Sequence, residues 1–421
     1  MKRSVLPDVL RATAVMAMIA NHSAVRVAAG GTESATWRVI SELGSFAPVL
    51  FFFTTGFGYG IQAGFRHQAG NKLKRLLDSA FKVLLLFAAD AMLWLRPDSG
   101  WHLDFLAFIG IASALVVILE LLPGSTYLAF GLLLTSVALR FVVGRGDPPI
   151  SESWPLFIQW CIGRPGITRI AYPLSPWIVF TLQGYLLGKF WQPISERLPG
   201  RLVFAVLSVT GVALARSAYW IAANGAPYFR WGTMSLAYFI AALAATLIVL
   251  AGASVWTRIP LQLRPITQID GITSLAVVPI HYAVIALLAS LPSVADPAAA
   301  IALTLTAIIV SIFSARLAVN GLYQAELRSN AVVQLATLSI VALGCITLLA
   351  FNQWSPNARL CFLLFGQLAI VGLFARRSKR GQLSKREVDH RTPSTRATGI
   401  QPFGLRAEIG RANPSAAGGD G

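Results

Sequence analysis

Two histidines lie in long apolar stretches of this sequence, where an ionisable side chain is costly unless it has a partner or a function. His22 follows Arg11 by eleven residues, and His281 follows Pro279 by two. Imidazole has an ordinary pKa of about 6.5, so a neutral histidine can accept a proton near neutral pH and act as a general base. For each histidine, the alternative is a hydrogen-bonded side chain that only packs the core.

The residues before His22 predict one polar helix face. Asp8 and Arg11 are three residues apart, so their side chains can pair on a helix. The eleven residues from Arg11 to His22 make three turns and a rise of about 16.5 Å, which places both on one face at different depths. A snorkelling arginine and a structural histidine would give the same pattern.

Two further segments combine small or basic residues. In segment 46–57, bulky aromatic residues give way abruptly to Thr55 and Gly56. Small residues here would admit a narrow ligand, or would only let another helix pack closely. The side chains of Lys72 and Arg75 could bind phosphate oxygens, or could anchor the chain at anionic lipid.

Aromatic residues also begin another apolar stretch, where Tyr172 precedes Trp177. Aromatic residues at such an edge are typical anchors at a membrane interface. Other charged residues inside apolar stretches have no partner that the sequence identifies: Asp90, Glu120, Arg140 and Arg216.

Composition places these residues in a membrane protein. The 421 residues are 55% hydrophobic and 13% charged, whereas soluble proteins are about 25% charged. The difference excludes an ordinary soluble enzyme and a disordered chain. In a soluble protein, a net charge of +17 would suggest binding to nucleic acid. For a chain with such an apolar body we expect no nucleic-acid partner. Three cysteines without a Cys-x-x-Cys pair or His-rich spacing predict neither a disulfide framework nor a metal site.

The hydropathy pattern predicts an all-α fold, a polytopic integral membrane helix bundle of about 10–12 transmembrane helices. The candidate spans are 5–29, 46–65, 79–95, 103–122, 126–144, 173–191, 202–222, 233–255, 272–291, 298–318, 331–351 and 358–375. Residues 1–29 also have the layout of a signal peptide, but Asp8 and Arg11 interrupt its apolar core, so a first span is favoured.

The cations predict the orientation of the bundle. With a cytoplasmic N-terminus and alternating spans, segments on the inner side carry 14 Lys and Arg, and those on the outer side carry 8. This asymmetry follows the positive-inside rule, and an even number of spans puts both termini in the cytoplasm. We therefore predict a membrane domain at 1–375 and a basic, disordered cytoplasmic tail at 376–421, which adds ten cations.

These motifs resemble the acyltransferase-3 superfamily of multispan membrane acyltransferases. The first span is similar to the family's Asp-x-x-Arg start followed by a histidine, here Asp8, Arg11 and His22. Segment 51–57 is similar to its aromatic-rich Ser-Gly-Phe motif, with Thr55 in the place of the usual serine.

Later segments extend the resemblance. Lys72 and Arg75 resemble the family's Arg-x-x-Arg pair, with lysine for the first arginine, and segment 274–281 resembles its late Ser-Leu…Leu-His helix. Segments 104–110 and 172–188 are similar to the related heparan-glucosaminide N-acetyltransferase-like branch.

The resemblance implies transfer of an acyl group, commonly acetyl, from cytoplasmic acyl-CoA to a hydroxyl or amine of a carbohydrate-type acceptor, such as a cell-envelope or exported polysaccharide. It implies His22 as the general base, with Arg11, held by Asp8, orienting the donor or steadying charge in the transition state. Acyl-CoA is then a co-substrate, and no permanently bound cofactor is expected. The expected location is the bacterial cytoplasmic membrane.

The resemblance also implies a donor site. Lys72 and Arg75 would hold the donor's phosphates at the cytoplasmic face, and Thr55 and Gly56 would line the route of its pantetheine arm. Lysine cannot make the bidentate fork of arginine, so the lysine at position 72 alters this site. His281 and Trp177 are additional candidates for the site.

Two other functions use the same residues. A secondary transporter of a sugar or an organic anion could place Arg11, His22 and His281 along its path. Transporters often have two similar halves, and this sequence shows no such internal symmetry. A non-catalytic membrane protein that kept the fold would not bind acetyl-CoA.

Overall fold

Most of the membrane domain is visible in a computed structural model. It describes residues 4–28, 35–65, 72–96, 100–101, 103–143, 155–162, 170–224, 234–256, 267–288, 296–326, 364 and 366–374. The predicted span at 331–351, most of the span at 358–375 and the predicted tail lie outside these residues.

The described chain is almost entirely helical. Its helices are α1 (Leu6–Ala28), α2 (Ala35–Gly44), α3 (Ala47–Phe65), α4 (Lys72–Trp94), α5 (Phe105–Leu121), α6 (Ser125–Val143), α7 (Leu156–Ile162), α8 (Leu174–Arg197), α9 (Gly200–Ala223), α10 (Leu236–Trp256), α11 (Gly271–Leu288) and α12 (Pro297–Glu326), with residues 366–374 also helical. One antiparallel ribbon joins β1 (Leu95–Arg96) to β2 (Gly100–Trp101) after α4.

The helices agree with the hydropathy pattern. Each of the first ten predicted spans coincides with a helix. Among the described residues, five segments are long and apolar enough to cross a membrane: Ala35–Ala63, Gly200–Ala223, Leu236–Trp256, Gly271–Leu288 and Pro297–Leu322. The predicted fold class, an all-α polytopic membrane bundle, is confirmed, while the count of 10–12 spans stays a prediction.

Helix α1 lies inside the bundle. It packs against α2, α3, α10, α11 and α12, and its apolar side chains Leu10, Val15 and Ile19 are almost completely buried. A helix enclosed in this way directs its polar residues toward other helices rather than toward lipid. The polar side chains of α1 therefore need partners on the neighbouring helices.

Glycines bring α3 and α8 into backbone contact. A Cβ added at Gly56 would lie 1.8 Å from the Thr181 carbonyl oxygen, and one added at Gly184 would lie 2.0 Å from the Phe53 carbonyl oxygen. Gly60 and Gly188 repeat this relation one turn further along each helix, with a Cβ at 2.2 and 2.3 Å from a carbonyl oxygen. Small residues four apart on both helices let the two backbones touch, as in membrane helix pairs.

A buried carboxylate fixes the start of α5. Asp90, on α4, is fully buried, and its Oδ1 accepts hydrogen bonds from the backbone N–H groups of Leu106 and Ala107, both at 3.1 Å. Its Oδ2 accepts from the backbone N–H of Asp104, also at 3.1 Å. These N–H groups have no partner inside a helix, so Asp90 caps α5 from its neighbour and complements the helix dipole.

Candidate active site

The two intramembrane histidines meet. His22 Nδ1, on α1, lies 2.7 Å from His281 Nε2, on α11, and the two rings are stacked with their centroids 5.0 Å apart. His281 is fully buried, whereas His22 is partly exposed. Of the two rings, only that of His22 is therefore accessible to a substrate.

The surroundings of the histidine pair hold both rings in place. His281 Nδ1 lies 2.9 Å from the carbonyl oxygen of Val277, one turn earlier on α11, which continues through Pro279. The ring of Tyr282 lies against both imidazoles, with centroid distances of 5.2 Å to His22 and 4.2 Å to His281. These contacts therefore fix the orientation of both imidazole rings.

Arg11 and Asp8 pair as their spacing predicts. Arg11 donates to Asp8 Oδ1 through Nη1 over 2.8 Å, and the two side chains are 21% and 15% exposed. Two glycines lie against the guanidinium: a Cβ added at Gly58 would lie 3.4 Å from Arg11 Nη2, and one at Gly271 would lie 4.0 Å from its central carbon, both ordinary contact distances. The pair thus sits between α3 and the first residue of α11.

Helices α1 and α11 run side by side in the same direction. Arg11 lies next to Gly271, and His22, eleven residues later, lies next to His281, ten residues after that glycine. One face of α1 therefore carries both Arg11 and His22, as the spacing predicts, about 16.5 Å apart along the axis. This face is the centre of the candidate site.

The small residues of α3 divide between two sides of the helix. Gly56 contacts α8, so the close approach it permits is between helices, the second of the two interpretations of this segment. Thr55 is partly exposed and precedes Gly58 by three residues, which places it on the side of α3 that faces Arg11. Thr55 is therefore the residue of this motif on the Arg11 side of α3, and the donor-binding roles expected of Thr55 and Gly56 stay predictions.

Three other candidates have different settings. Lys72 and Arg75 form the first turn of α4, and their side chains lie outside the described part of the structure. Trp177 is 1% exposed and meets Tyr172 and Phe52 edge-on, at centroid distances of 4.9 and 5.9 Å. Trp177 therefore belongs to an aromatic cluster, and its part in the site stays a prediction. Among the described residues, no three His, Cys, Asp or Glu side chains are grouped as metal ligands.

A narrow cleft beside α5, which the sequence did not predict, is lined by Asp104, Trp160 and Tyr172 together with apolar side chains. Its free volume is about 10 Å³, the space of one water molecule. Asp104 caps α5 through a 2.6 Å hydrogen bond to its Oδ1 from the Phe105 N–H. The Trp160 indole N–H is buried and has no hydrogen-bond partner in the described chain. The clustering of aromatic residues with Asp104 at span edges was the available signal.

The cleft and the histidine pair are neighbours through Tyr282. Asp104 and Tyr172 are both close enough to Tyr282 to interact with it electrostatically, and Tyr282 touches both imidazoles. The carboxyl group, the indole N–H and the aromatic rings of the cleft are groups that contact polar, ring-shaped molecules. These groups lie in the region of the bundle that also holds the histidine pair.

Comparison with known proteins identifies the family. No curated protein matches the chain. Residues 3–221, just over half of the chain, match the family profile described as heparan-alpha-glucosaminide N-acetyltransferase, catalytic. The matched region contains Asp8, Arg11 and His22 but ends before His281. The chain therefore belongs to the heparan-alpha-glucosaminide N-acetyltransferase catalytic family, a family of transferases, and is an integral membrane protein.

Proposed function

We propose that this protein is a membrane acetyltransferase that moves an acetyl group from acetyl-CoA to a hydroxyl or amine of a carbohydrate-type acceptor, with His22 as the general base. The observation that carries this proposal is the contact of partly exposed His22 with fully buried His281, on the helix face that also bears Arg11. The family's description supports the acetyl group and the sugar acceptor.

The chemistry requires one proton acceptor at the reacting group. The acceptor's oxygen or nitrogen attacks the thioester carbonyl carbon while its proton passes to His22. The new C–O or C–N bond forms, the C–S bond breaks, and CoA leaves as a thiolate, which recovers the proton from the His22 imidazolium. A positioned base of this kind typically contributes about 10²–10⁴-fold to the rate.

Arg11 acts on another part of the donor. It lies about 16.5 Å along α1 from His22, too far to touch the reacting carbon while His22 takes the proton. Of its two expected roles, orientation of the donor is therefore favoured over stabilisation of transition-state charge. The guanidinium is fixed by Asp8, so it is preorganised to bind a phosphate oxygen.

The two ends of this face suit the two substrates. With the orientation that the cations predict, Arg11, Lys72 and Arg75 lie toward the cytoplasm, where acetyl-CoA is found. Thr55 lies on the side of α3 that faces Arg11, along the path that the pantetheine arm would take. With the same orientation, Asp104 and its cleft lie toward the opposite side, where the acceptor would approach.

The test is acetyl transfer by the purified protein in proteoliposomes. Radiolabelled acetyl-CoA is supplied with glucosamine, which offers an amine and hydroxyls, or with N-acetylglucosamine, which offers hydroxyls only. His22→Ala should reduce transfer by at least about 10²-fold, while acetyl-CoA binding and membrane insertion remain. His390→Ala, in the segment predicted to be a cytoplasmic tail, is the matched histidine control.

Two results would overturn the proposal. Full activity of His22→Ala would remove His22 as the base. In a parallel assay with a radiolabelled sugar, accumulation of that sugar inside the proteoliposomes without any acetylated product would instead indicate the secondary transporter of a sugar or an organic anion.

A further inference from the structure

We propose that His281 is a positioning residue that fixes the tautomer of His22, so that Nε2 of His22 is the atom that takes the acceptor's proton. This inference rests on the proposed function for the role of His22. The assignment of the tautomer itself rests only on the geometry of the two rings.

The first step concerns His281. Its Nδ1 lies 2.9 Å from the Val277 carbonyl oxygen, and a carbonyl oxygen can only accept a hydrogen bond. His281 Nδ1 must therefore carry a hydrogen. A neutral imidazole carries one N–H, so His281 Nε2 presents a lone pair.

A charged His281 is the alternative, with hydrogens on both nitrogens. His281 is fully buried, and no carboxylate of the described chain lies within ion-pair distance of it. A buried, unpaired charge is far more costly than a neutral ring with both nitrogens hydrogen-bonded. The neutral form with hydrogen on Nδ1 is therefore the consistent one.

The second step concerns His22. Its Nδ1 lies 2.7 Å from the lone pair on His281 Nε2, and two lone pairs at that distance would repel. His22 Nδ1 therefore donates its hydrogen to His281. Neutral His22 then has its lone pair on Nε2, the nitrogen directed away from His281, where no described residue hydrogen-bonds to it.

The same contact assists the base during the reaction. When His22 Nε2 takes a proton, the ring becomes an imidazolium, and its Nδ1–H donates a charge-assisted hydrogen bond to His281. Tyr282 packs against both rings and keeps their planes aligned. His281 is completely buried, so it acts through His22 and does not touch the substrate.

Nitrogen NMR of the full chain with ¹⁵N-labelled histidine tests the tautomer without any substrate. The His22 signals are assigned by their loss in His22→Ala, at a pH where the ring is neutral. Wild-type protein should show hydrogen on His22 Nδ1. In His281→Phe, which keeps an aromatic ring but removes the acceptor, this tautomer should lose its dominance. Hydrogen on His22 Nε2 in the wild type would overturn the inference.

Kinetics test the consequence. His281→Phe should lower kcat for acetyl transfer by about 10²-fold, with the KM for acetyl-CoA unchanged. His281→Gln places an amide oxygen near the position of Nε2 and should restore at least tenfold over His281→Phe. Ile285→Ala removes buried volume from the same helix and should lower the melting temperature without changing kcat or the His22 tautomer.

The two experiments separate the two proposals. An unchanged kcat in His281→Phe would overturn the positioning role. If the wild-type tautomer is as expected but no protein transfers acetyl groups, the assignment of the hydrogen stands and the proposed function fails.

Discussion

At the scale of single residues, the site depends on charged and polar side chains that are each held by a specific neighbour. Arg11 is held by Asp8, His22 by His281, and Asp104 by the first N–H of α5. A polar group inside a membrane bundle is tolerated when such partners replace water. The same partners fix the direction in which each side chain points, which is what a reaction requires.

Arg11 is expected to bind the donor rather than the transition state. Arg11→Lys keeps the charge but loses the planar fork, so kcat/KM for acetyl-CoA should fall about tenfold. Arg11→Ala should lower it by about 10²-fold, the range for loss of a hydrogen bond to a charged group, and both effects should appear mainly in KM. Arg201→Lys, at an exposed position, is the control. A fall in kcat with KM unchanged would mean instead that Arg11 stabilises the reacting groups.

Asp104 is expected to bind the acceptor. Asparagine caps a helix as well as aspartate does, so Asp104→Asn should keep α5 intact while replacing one carboxyl oxygen of the cleft with an amide nitrogen. The acceptor KM should rise up to about tenfold, since a hydrogen bond contributes about 0.5–1.5 kcal/mol, and the acetyl-CoA KM should not change. Asp296→Asn, which alters the equivalent cap of α12, is a matched control. An unchanged acceptor KM in Asp104→Asn would show that the acceptor binds elsewhere.

Sequence predicts the local parts of the site and misses those that depend on the fold. Asp8, Arg11 and His22 belong to one helix, so the helical repeat alone places them on one face. His281 was a candidate because of its intramembrane position, but its contact with His22 spans 259 residues and needs the packing of α1 against α11. The cleft likewise joins α5, α7 and the start of α8, which no local pattern relates.

At the scale of helices, glycines and caps decide which elements touch. Hydropathy predicts where the helices lie, because each must satisfy its own backbone hydrogen bonds in lipid. It does not predict their neighbours. In the sequence Gly56 is open to two interpretations, and only the packing shows that it lies against the Thr181 carbonyl of α8. The partner of Asp90 could not be predicted from the sequence, because the N–H groups that it caps belong to the next helix.

The contact of α3 with α8 should be intolerant of a single methyl group. Gly184→Ala places a Cβ 2.0 Å from a backbone oxygen, so the helices must separate, at a cost of at least about 1–3 kcal/mol. Gly252→Ala, in α10, meets no atom within 4 Å and should stabilise its helix by up to about 1 kcal/mol. Thermal unfolding in detergent compares the two variants. Equal shifts in melting temperature would contradict backbone contact between α3 and α8.

At the scale of the whole molecule, the proposed reaction brings two substrates to one site from opposite sides. Arg11 and His22 lie at different depths of one helix face, so the donor and the acceptor could approach His22 from the two ends of that face. The helix packing alone does not say which end of the bundle faces the cytoplasm. That assignment comes from the distribution of Lys and Arg, 14 in inner segments against 8 in outer ones.

The orientation can be tested with single cysteines at two exposed sites. Glu196, at the end of α8, lies in a segment that we predict to be cytoplasmic, and Asn224, after α9, lies in one predicted to be outside. Each is changed to cysteine in a chain whose own three cysteines are replaced by serine. A membrane-impermeant maleimide should label Asn224→Cys in intact cells, and Glu196→Cys only after the membrane is opened.

The opposite labelling would place Lys72 and Arg75 outside the cell, away from acetyl-CoA. A donor from the cytoplasm would then meet the end of the bundle that carries the cleft, and the acceptor would meet Arg11. Acetyl-CoA carries negative phosphates, whereas a neutral sugar carries no charge. A cationic end that faces away from the cytoplasm would therefore have no anionic donor to bind. The labelling experiment therefore tests the assignment of both substrate ends, independently of any loss of activity in a site variant.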